Sequence, residues 1–168
     1  MRVTLSLTLT LTSGPAGVPS SLAARITGQL AAALAYLHGQ GCAHRDVKPA
    51  NVMLMNDLKG PNLTTKLVDF GFAIECGDER QHHKYIGTPA YMAPELIDES
   101  LSYLGPPVDM WALGAVVYEL IHGRMAFSGV NDAVQLYSRI RKVSHQPIDT
   151  QVVIYIYIYI YIYMYMYR

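Results

Sequence analysis

His44-Arg45-Asp46-Val47-Lys48-Pro49-Ala50-Asn51 is the stretch of this chain whose residue types and spacing could do chemistry together. An acid, a lysine two positions on and an asparagine five positions on make a compact polar cluster, and the apolar run Val52-Met53-Leu54-Met55 follows at once. The combination suits transfer of a phosphoryl group to a hydroxyl. Asp46 would accept the proton of the attacking hydroxyl, and Lys48 would set a compact cation beside the group in transfer. Asn51 would offer an amide oxygen to magnesium, a hard cation that prefers oxygen ligands. Taken alone, such a cluster reads equally well as a polar turn between two buried segments.

Two further motifs, in order, decide against that plain reading. Asp69-Phe70-Gly71 stands twenty-three residues after Asp46, at the end of a predicted strand. Asp69 would be a carboxylate ligand for magnesium, and Gly71 is expected to let the backbone turn sharply after it. Farther on, Gly87-Thr88-Pro89-Ala90-Tyr91-Met92-Ala93-Pro94-Glu95 reads by composition as a proline-containing turn before a helix.

The elements that must position these residues follow from periodicity. Ser20 or Ser21 is expected to cap a helix running to about His38. Its apolar positions Leu22, Ile26, Leu30, Leu34 and Leu37 fall on one face, and Gly39 and Gly41 end it. Val52–Met55 and Lys66-Leu67-Val68 read as two strands around a polar turn containing Gly60-Pro61. Such a hairpin would return its second strand beside Asp46 and Asn51. Gly105-Pro106-Pro107 is expected to break the chain, and Val108–His122 follows as a helix whose formal charges are Asp109 and Glu119. A helix apolar nearly all round is buried or spans a membrane, and fifteen residues fall short of the ~20 that spanning requires. Gly123 ends it. A last helix starts at Asn131 or Asp132, with Ala133, Leu136, Tyr137 and Ile140 inward and Arg139, Arg141 and Lys142 outward.

The ordered set D-V-K-P-A-N, D-F-G and G-T-P-A-Y-M-A-P-E resembles eukaryotic-type protein kinases, on the serine/threonine side. D-F-G-F-A is similar to the calcium/calmodulin-dependent-like group. The resemblance covers about Ser20 to Lys142. It implies an α+β, protein-kinase-like fold: a mainly helical C-lobe with a short β-hairpin. Position by position, it makes Asp46 the catalytic base, Lys48 the lysine on the phosphoryl group, and Asn51 and Asp69 the magnesium ligands. Met53 would be the floor under adenine, and Thr88 would contact Asp46 and Lys48. His44 and Phe70 would be the lower members of the hydrophobic stack that links the lobes. Asp109 would bind the backbone around His44-Arg45. The implied cofactors are ATP and Mg2+, the implied partner a protein bearing Ser or Thr, and the implied setting cytoplasmic.

Departures from the family pattern lie at both ends. Before Ser20 there is no G-x-G-x-x-G loop, no strand lysine and no helix glutamate to pair it. The chain is therefore expected to be an internal slice with the N-lobe missing, and Glu95 to lack the arginine that pairs it in the family. Met1–Thr12 alternates Leu with Thr or Ser. A strand or a signal peptide is the rival of the favoured reading, low-complexity sequence. The division expected is a low-complexity and linker segment over 1–19, a partial kinase domain over 20–150 and an Ile-Tyr repeat tail over 151–168. Alternating adenine and thymine read in triplets encode Ile-Tyr without end, so the tail reads as a translated dinucleotide repeat. A membrane anchor is its rival, though Tyr at every second place suits the interface rather than the bilayer core.

Seven of the thirteen tyrosines sit in that tail, so the 51% hydrophobic content overstates the apolarity of the middle. A formal net charge of zero gives no footprint for nucleic acid or an anionic membrane as partner. Cys42 and Cys76 match no metal or redox spacing, and Cys42 reads as a small buried hydrophobe. Between Gly71 and Gly87 there is no Ser or Thr, Tyr85 being the one hydroxyl, so the segment should not depend on Ser/Thr phosphorylation. Asp78 and Glu79 would face Arg45 there, or Arg45 would be solvated. The function expected is serine/threonine protein phosphorylation. The alternatives are a catalytically dead fragment acting as a binding module or decoy, and a gene-model artefact.

Overall fold

The computed structural model describes residues 4–6, 17–56, 58, 60–76, 86–98, 103–129 and 132–142. Its elements are β1 (Thr4–Ser6), α1 (Ser20–Gly39), β2 (Cys42–Ala43), β3 (Val52–Met55), β4 (Thr64–Leu67), β5 (Ile74–Glu75), α2 (Pro94–Ile97), α3 (Gly105–His122) and α4 (Ala133–Arg141). Single 3-10 turns occupy Pro49–Asn51 and Pro89–Tyr91. The class is α+β, with short antiparallel strands set among helices.

α1 buries Ala23, Ile26, Leu30 and Leu34, a stripe at three- and four-residue spacing. No serine side chain caps it. Pro19 is the cap residue, and its carbonyl accepts from the Leu22 and Ala23 amides at 2.9 Å each. The expected serine cap fails because the helix begins at Ser20 itself. A proline at the cap loses nothing by lacking an N–H there.

α3 starts three residues earlier than its sequence predicts. Gly105-Pro106-Pro107 forms its first turn instead of breaking the chain. First-turn amides need no intrahelical acceptor, so proline fits there. Gly105 is required by close approach: a Cβ on it would lie 2.5 Å from the Ala43 Cβ and 2.6 Å from the Cys76 sulfur. Gly123 closes the helix in the left-handed region at φ 64, its N–H donating to the Glu119 carbonyl at 2.8 Å.

Two clusters of buried side chains meet on α3. One joins Ile26, Leu30 and Leu34 of α1 to Val47, Val52, Leu54 and to Leu113, Val116 and Leu120 of α3. The other joins Met92, Leu96, Ile97 and Tyr103 to Val108 and Tyr118 of α3, Phe127 and Ile140. A helix that buries opposite faces in two cores explains the all-round apolar sequence. At ~1.5–3 kcal/mol per large buried side chain, each core is substantial. Among the described residues no helix is long and apolar enough to cross a membrane.

The strands form a three-stranded sheet in the order β1-β3-β4 and a two-stranded pair β2-β5, all antiparallel. The predicted hairpin is β3-β4, with Val52 opposite Leu67 and Met55 opposite Thr64. Thr4–Ser6, inside the stretch read as low-complexity, pairs with Met53–Met55, so here the period-2 alternation does form a strand. Gln29 of α1 clamps β4 with both ends of its amide. Its Nε2 donates to the Leu63 carbonyl at 2.8 Å, and its Oε1 accepts from the Thr65 N–H at 2.5 Å.

Asp132 caps α4, its side chain accepting from the Gln135 N–H at 2.7 Å. Ile140 is fully buried and Leu136 and Tyr137 pack beside it, but Ala133 is exposed, contrary to its expected inward place. The first turn of this nine-residue helix overhangs the core. Arg139 and Arg141 are not simply outward either, since they donate to the carbonyls of Ser128 (2.7 Å) and Ile97 (3.1 Å).

Candidate active site

The polar cluster lies in the loop between β2 and the 3-10 turn Pro49–Asn51. Asp109, fully buried in α3, holds that loop from below. Its Oδ2 accepts from the His44 N–H at 2.8 Å and its Oδ1 from the Arg45 N–H at 2.7 Å. His38, from the last turn of α1, places Nε2 2.8 Å from the same Oδ2. A buried carboxylate is tolerable when its lone pairs are taken up in this way. These bonds support Arg45 at φ 64, a left-handed conformation that a non-glycine residue adopts only when its surroundings impose it.

Around Asp46, 4% exposed, three side chains converge. Lys48 Nζ lies 2.7 Å from Asp46 Oδ2. Asn51 Nδ2 donates to Asp46 Oδ2 at 2.9 Å and to the Asp46 carbonyl at 2.8 Å. The Thr88 hydroxyl donates to Asp46 Oδ1 at 3.0 Å and accepts from Lys48 Nζ at 2.8 Å. Thr88 is forty-two residues from Asp46 in the chain, and the fold closes that gap.

Asp69 arrives at the end of β4 and is exposed. The Asn51 carbonyl accepts from the Val68 N–H at 2.9 Å, which sets Asp69 one residue from the Asn51 backbone. The sharp turn falls on Asp69 itself, at φ 62, and not on the glycine after it. The Asp69 Oδ1 accepts from the Gly71 N–H at 3.2 Å, the local bond that lets a short polar side chain sit in the left-handed region. Gly71 is small for another reason: its Cβ would stand 3.2 Å from that oxygen.

His44 Nε2 lies 3.1 Å from the Val68 carbonyl and must donate to it, so Nδ1 is the acceptor for the Asp46 N–H at 3.3 Å. The imidazole is the neutral Nε2–H tautomer, edge-on to the Phe70 ring at 4.9 Å between centroids. Met53 is half-buried on β3. Asn51 Oδ1 and the Asp69 carboxylate are oxygen donors of the kind a hard divalent cation accepts alongside waters and phosphate oxygens.

Sequence spacing misses several residues here. Arg45 is not simply solvated: its Nε donates to the Phe72 carbonyl and its Nη1 to the Tyr103 hydroxyl, both at 2.8 Å. Asp78, Glu79 and Tyr85 lie outside the described residues. Tyr91 donates its hydroxyl to Glu119 Oε2 at 2.5 Å. Burial pushes the Glu119 carboxyl up, and the Tyr91 bond partly offsets this. Burial, then the bond and charge of Glu119, push the Tyr91 phenol well up. Cys42 and Cys76 are free, and both are half-buried, so Cys42 is less buried than its apolar neighbours suggest. Burial, then the Asp109 charge, raises the Cys76 thiol.

With an acid, a lysine and an asparagine gathered in one loop over a buried aspartate and D-F-G beside it, the chain matches the protein kinase domain over residues 6–155. The chain belongs to the protein kinase family. The match begins before Ser20 and runs past Lys142, wider than the motifs alone define. Its relatives include cyclin-dependent kinase-like 1 of Caenorhabditis elegans, 39% identical over 145 residues, which are 86% of this chain and 39% of that protein. Calcium/calmodulin-dependent protein kinase type II of Caenorhabditis briggsae is 39% identical over 67% of this chain and 20% of its own length. The cyclin-dependent kinase 4 homolog of Caenorhabditis elegans is 37% identical over 77% of this chain and 30% of its own. The chain thus spans well under half the length of these relatives, which come from two groups of serine/threonine kinases.

Proposed function

We propose that this domain transfers the γ-phosphoryl group of ATP to serine and threonine hydroxyls of proteins, and that the described residues form the helical lobe of that enzyme. The observation that carries the reading is the Asp46–Lys48–Thr88 triangle, with Asn51 fixing Asp46 from the side. Asp46 would take the proton of the substrate hydroxyl, its carboxylate held in one orientation by three donors. Lys48 would neutralise charge at the group in transfer while staying bonded to Thr88. Asn51 and Asp69 would hold magnesium, which when bound neutralises the phosphate oxygens. Met53 would lie beneath adenine. Protein substrates and a cytoplasmic setting belong to the same proposal, the latter resting on two free thiols.

The test is transfer from labelled ATP to Ser, Thr and Tyr peptides by the natural polypeptide that carries this domain. Asp46→Asn should lower kcat by about 10²–10⁴-fold, the usual weight of a positioned base. Activity that survives this change, or a preference for tyrosine peptides, would overturn the assignment.

A second reading has its own observation. Phe70 and Phe72 are 52% and 45% exposed, and the 168 residues contain no G-x-G-x-x-G loop to lie over a nucleotide. A polypeptide of these residues alone would then bind kinase substrates or regulators without catalysing.

A further inference from the structure

We propose that Tyr103 is a positioning residue that sets the catalytic loop through Arg45, so that the loop is held by a neutral hydroxyl built into the core. The inference rests on the kinase reading for its effect on rate, but not for its geometry. Tyr103 precedes α3 and is 4% exposed, its ring packed in the cluster of Met92, Ile97, Val108 and Phe127. Its hydroxyl accepts from Arg45 Nη1 at 2.8 Å. The same guanidinium gives Nε to the Phe72 carbonyl at 2.8 Å. Arg45 thereby ties three segments together: the loop ahead of Asp46, the turn after Asp69 and the entry to α3.

The tie bears on Asp46 because Arg45 is its neighbour and sits at φ 64. A bulky residue in that region persists when its surroundings over-determine its conformation. Asp109 holds the backbone N–H, and Tyr103 and Phe72 hold the side chain. A buried aromatic ring has few rotamers to lose, so its hydroxyl is already in place when Arg45 arrives. The sequence is in keeping with such a device, since residues 71–87 offer no Ser or Thr whose modification could order Arg45 instead.

Tyr103→Phe removes the hydroxyl and keeps the ring, and is the variant to use. Amide exchange on the full chain, read by mass spectrometry, should show residues 42–47 and 71–73 exchanging about tenfold faster. The core amides of α1 should be unchanged, as expected for loss of one bond to a charged donor. Arg45→Met, which loses the Phe72 bond as well, should give the same pattern at least as strongly, and the double variant no more than Arg45→Met alone. Unchanged protection in the loop, uniform loss across the fold, or additive single effects would each overturn the proposal. In the natural polypeptide kcat should fall about tenfold, with KM for ATP within twofold. Should the wild type transfer no phosphate, the kinase reading fails, and the exchange data alone decide whether Tyr103 positions the loop.

Discussion

Asp46 owes its orientation to partners at two very different chain distances, and that difference governs what a reader of the sequence can see. Lys48 and Asn51 lie within five residues, so their spacing alone marks them as a unit. Thr88 entered through the family resemblance, and the structure brings its hydroxyl to 3.0 Å from the carboxylate. Tyr103 and Glu119 were not legible, because Arg45–Tyr103 spans fifty-eight residues and Tyr91–Glu119 twenty-eight, and no spacing rule connects them. The turn falls on Asp69 and not on the expected Gly71: an aspartate whose side chain accepts from a local N–H can take the left-handed region that glycine is expected to fill. Glu119 also carries a pH signature. Its folded carboxyl is raised above the ordinary 4.5 chiefly by burial. Such a group contributes stability that is fully present below about pH 4.5 and is lost as pH rises through the raised folded value. Glu119→Gln should therefore lose less stability than wild type as pH rises above about 4.5 in urea titrations. Parallel pH profiles would show that Glu119 ionises freely in the fold.

Helices and hairpin were the legible elements, since α1 and β3-β4 bury faces whose period is written in the chain. Their boundaries were less so. The prolines at the head of α3 read as a break because their missing N–H groups matter in mid-helix but not in the first turn. The strand at Thr4–Ser6 is only a rival reading in the sequence because repetitive Leu-Thr composition looks the same whether or not a partner strand stands beside it; β3 is that partner. What docks α1 on β4 was also hidden, for it is a polar bond in a helix chosen by its apolar stripe. Gln29 satisfies the Leu63 carbonyl and the Thr65 N–H together, and Arg25 adds the Gly60 carbonyl at 2.7 Å. Gln29→Met keeps the length of the side chain and removes both bonds. Two part-buried backbone groups left unsatisfied should lower stability by about 1–3 kcal/mol each. Urea denaturation would show it as a lower midpoint at unchanged slope. A loss under about 0.5 kcal/mol, the range of ordinary surface changes, would mean that water replaces the amide.

At the scale of the molecule, the proposed base and cation ligands are gathered on one loop and one strand end, whereas the 168 residues contain no G-x-G-x-x-G motif to lie over the nucleotide. Phosphoryl transfer leaves little covalent work to the protein: catalysis is positioning and charge stabilisation. Asp46, Lys48 and Thr88 can orient a hydroxyl, and Asn51 and Asp69 can hold a metal, but neither set grips the α- and β-phosphates or covers adenine from above. ATP resting on Met53 would face water on its other side, and its γ-phosphoryl group would not be held in line. Misplacement of about 1 Å already reduces rates by ~10²-fold, and an untethered phosphate chain moves farther than that. The half-exposed Phe70 and Phe72 add apolar surface that favours association with other chains. A purified polypeptide of residues 20–150 should therefore incorporate label from ATP into a generic Ser/Thr substrate no faster than its own Asp46→Asn variant. Circular dichroism of both, showing equal helix content, would establish that the comparison is between folded proteins. Incorporation well above the variant would show that residues 20–150 suffice to position ATP, and the binding-module reading of this polypeptide would fall.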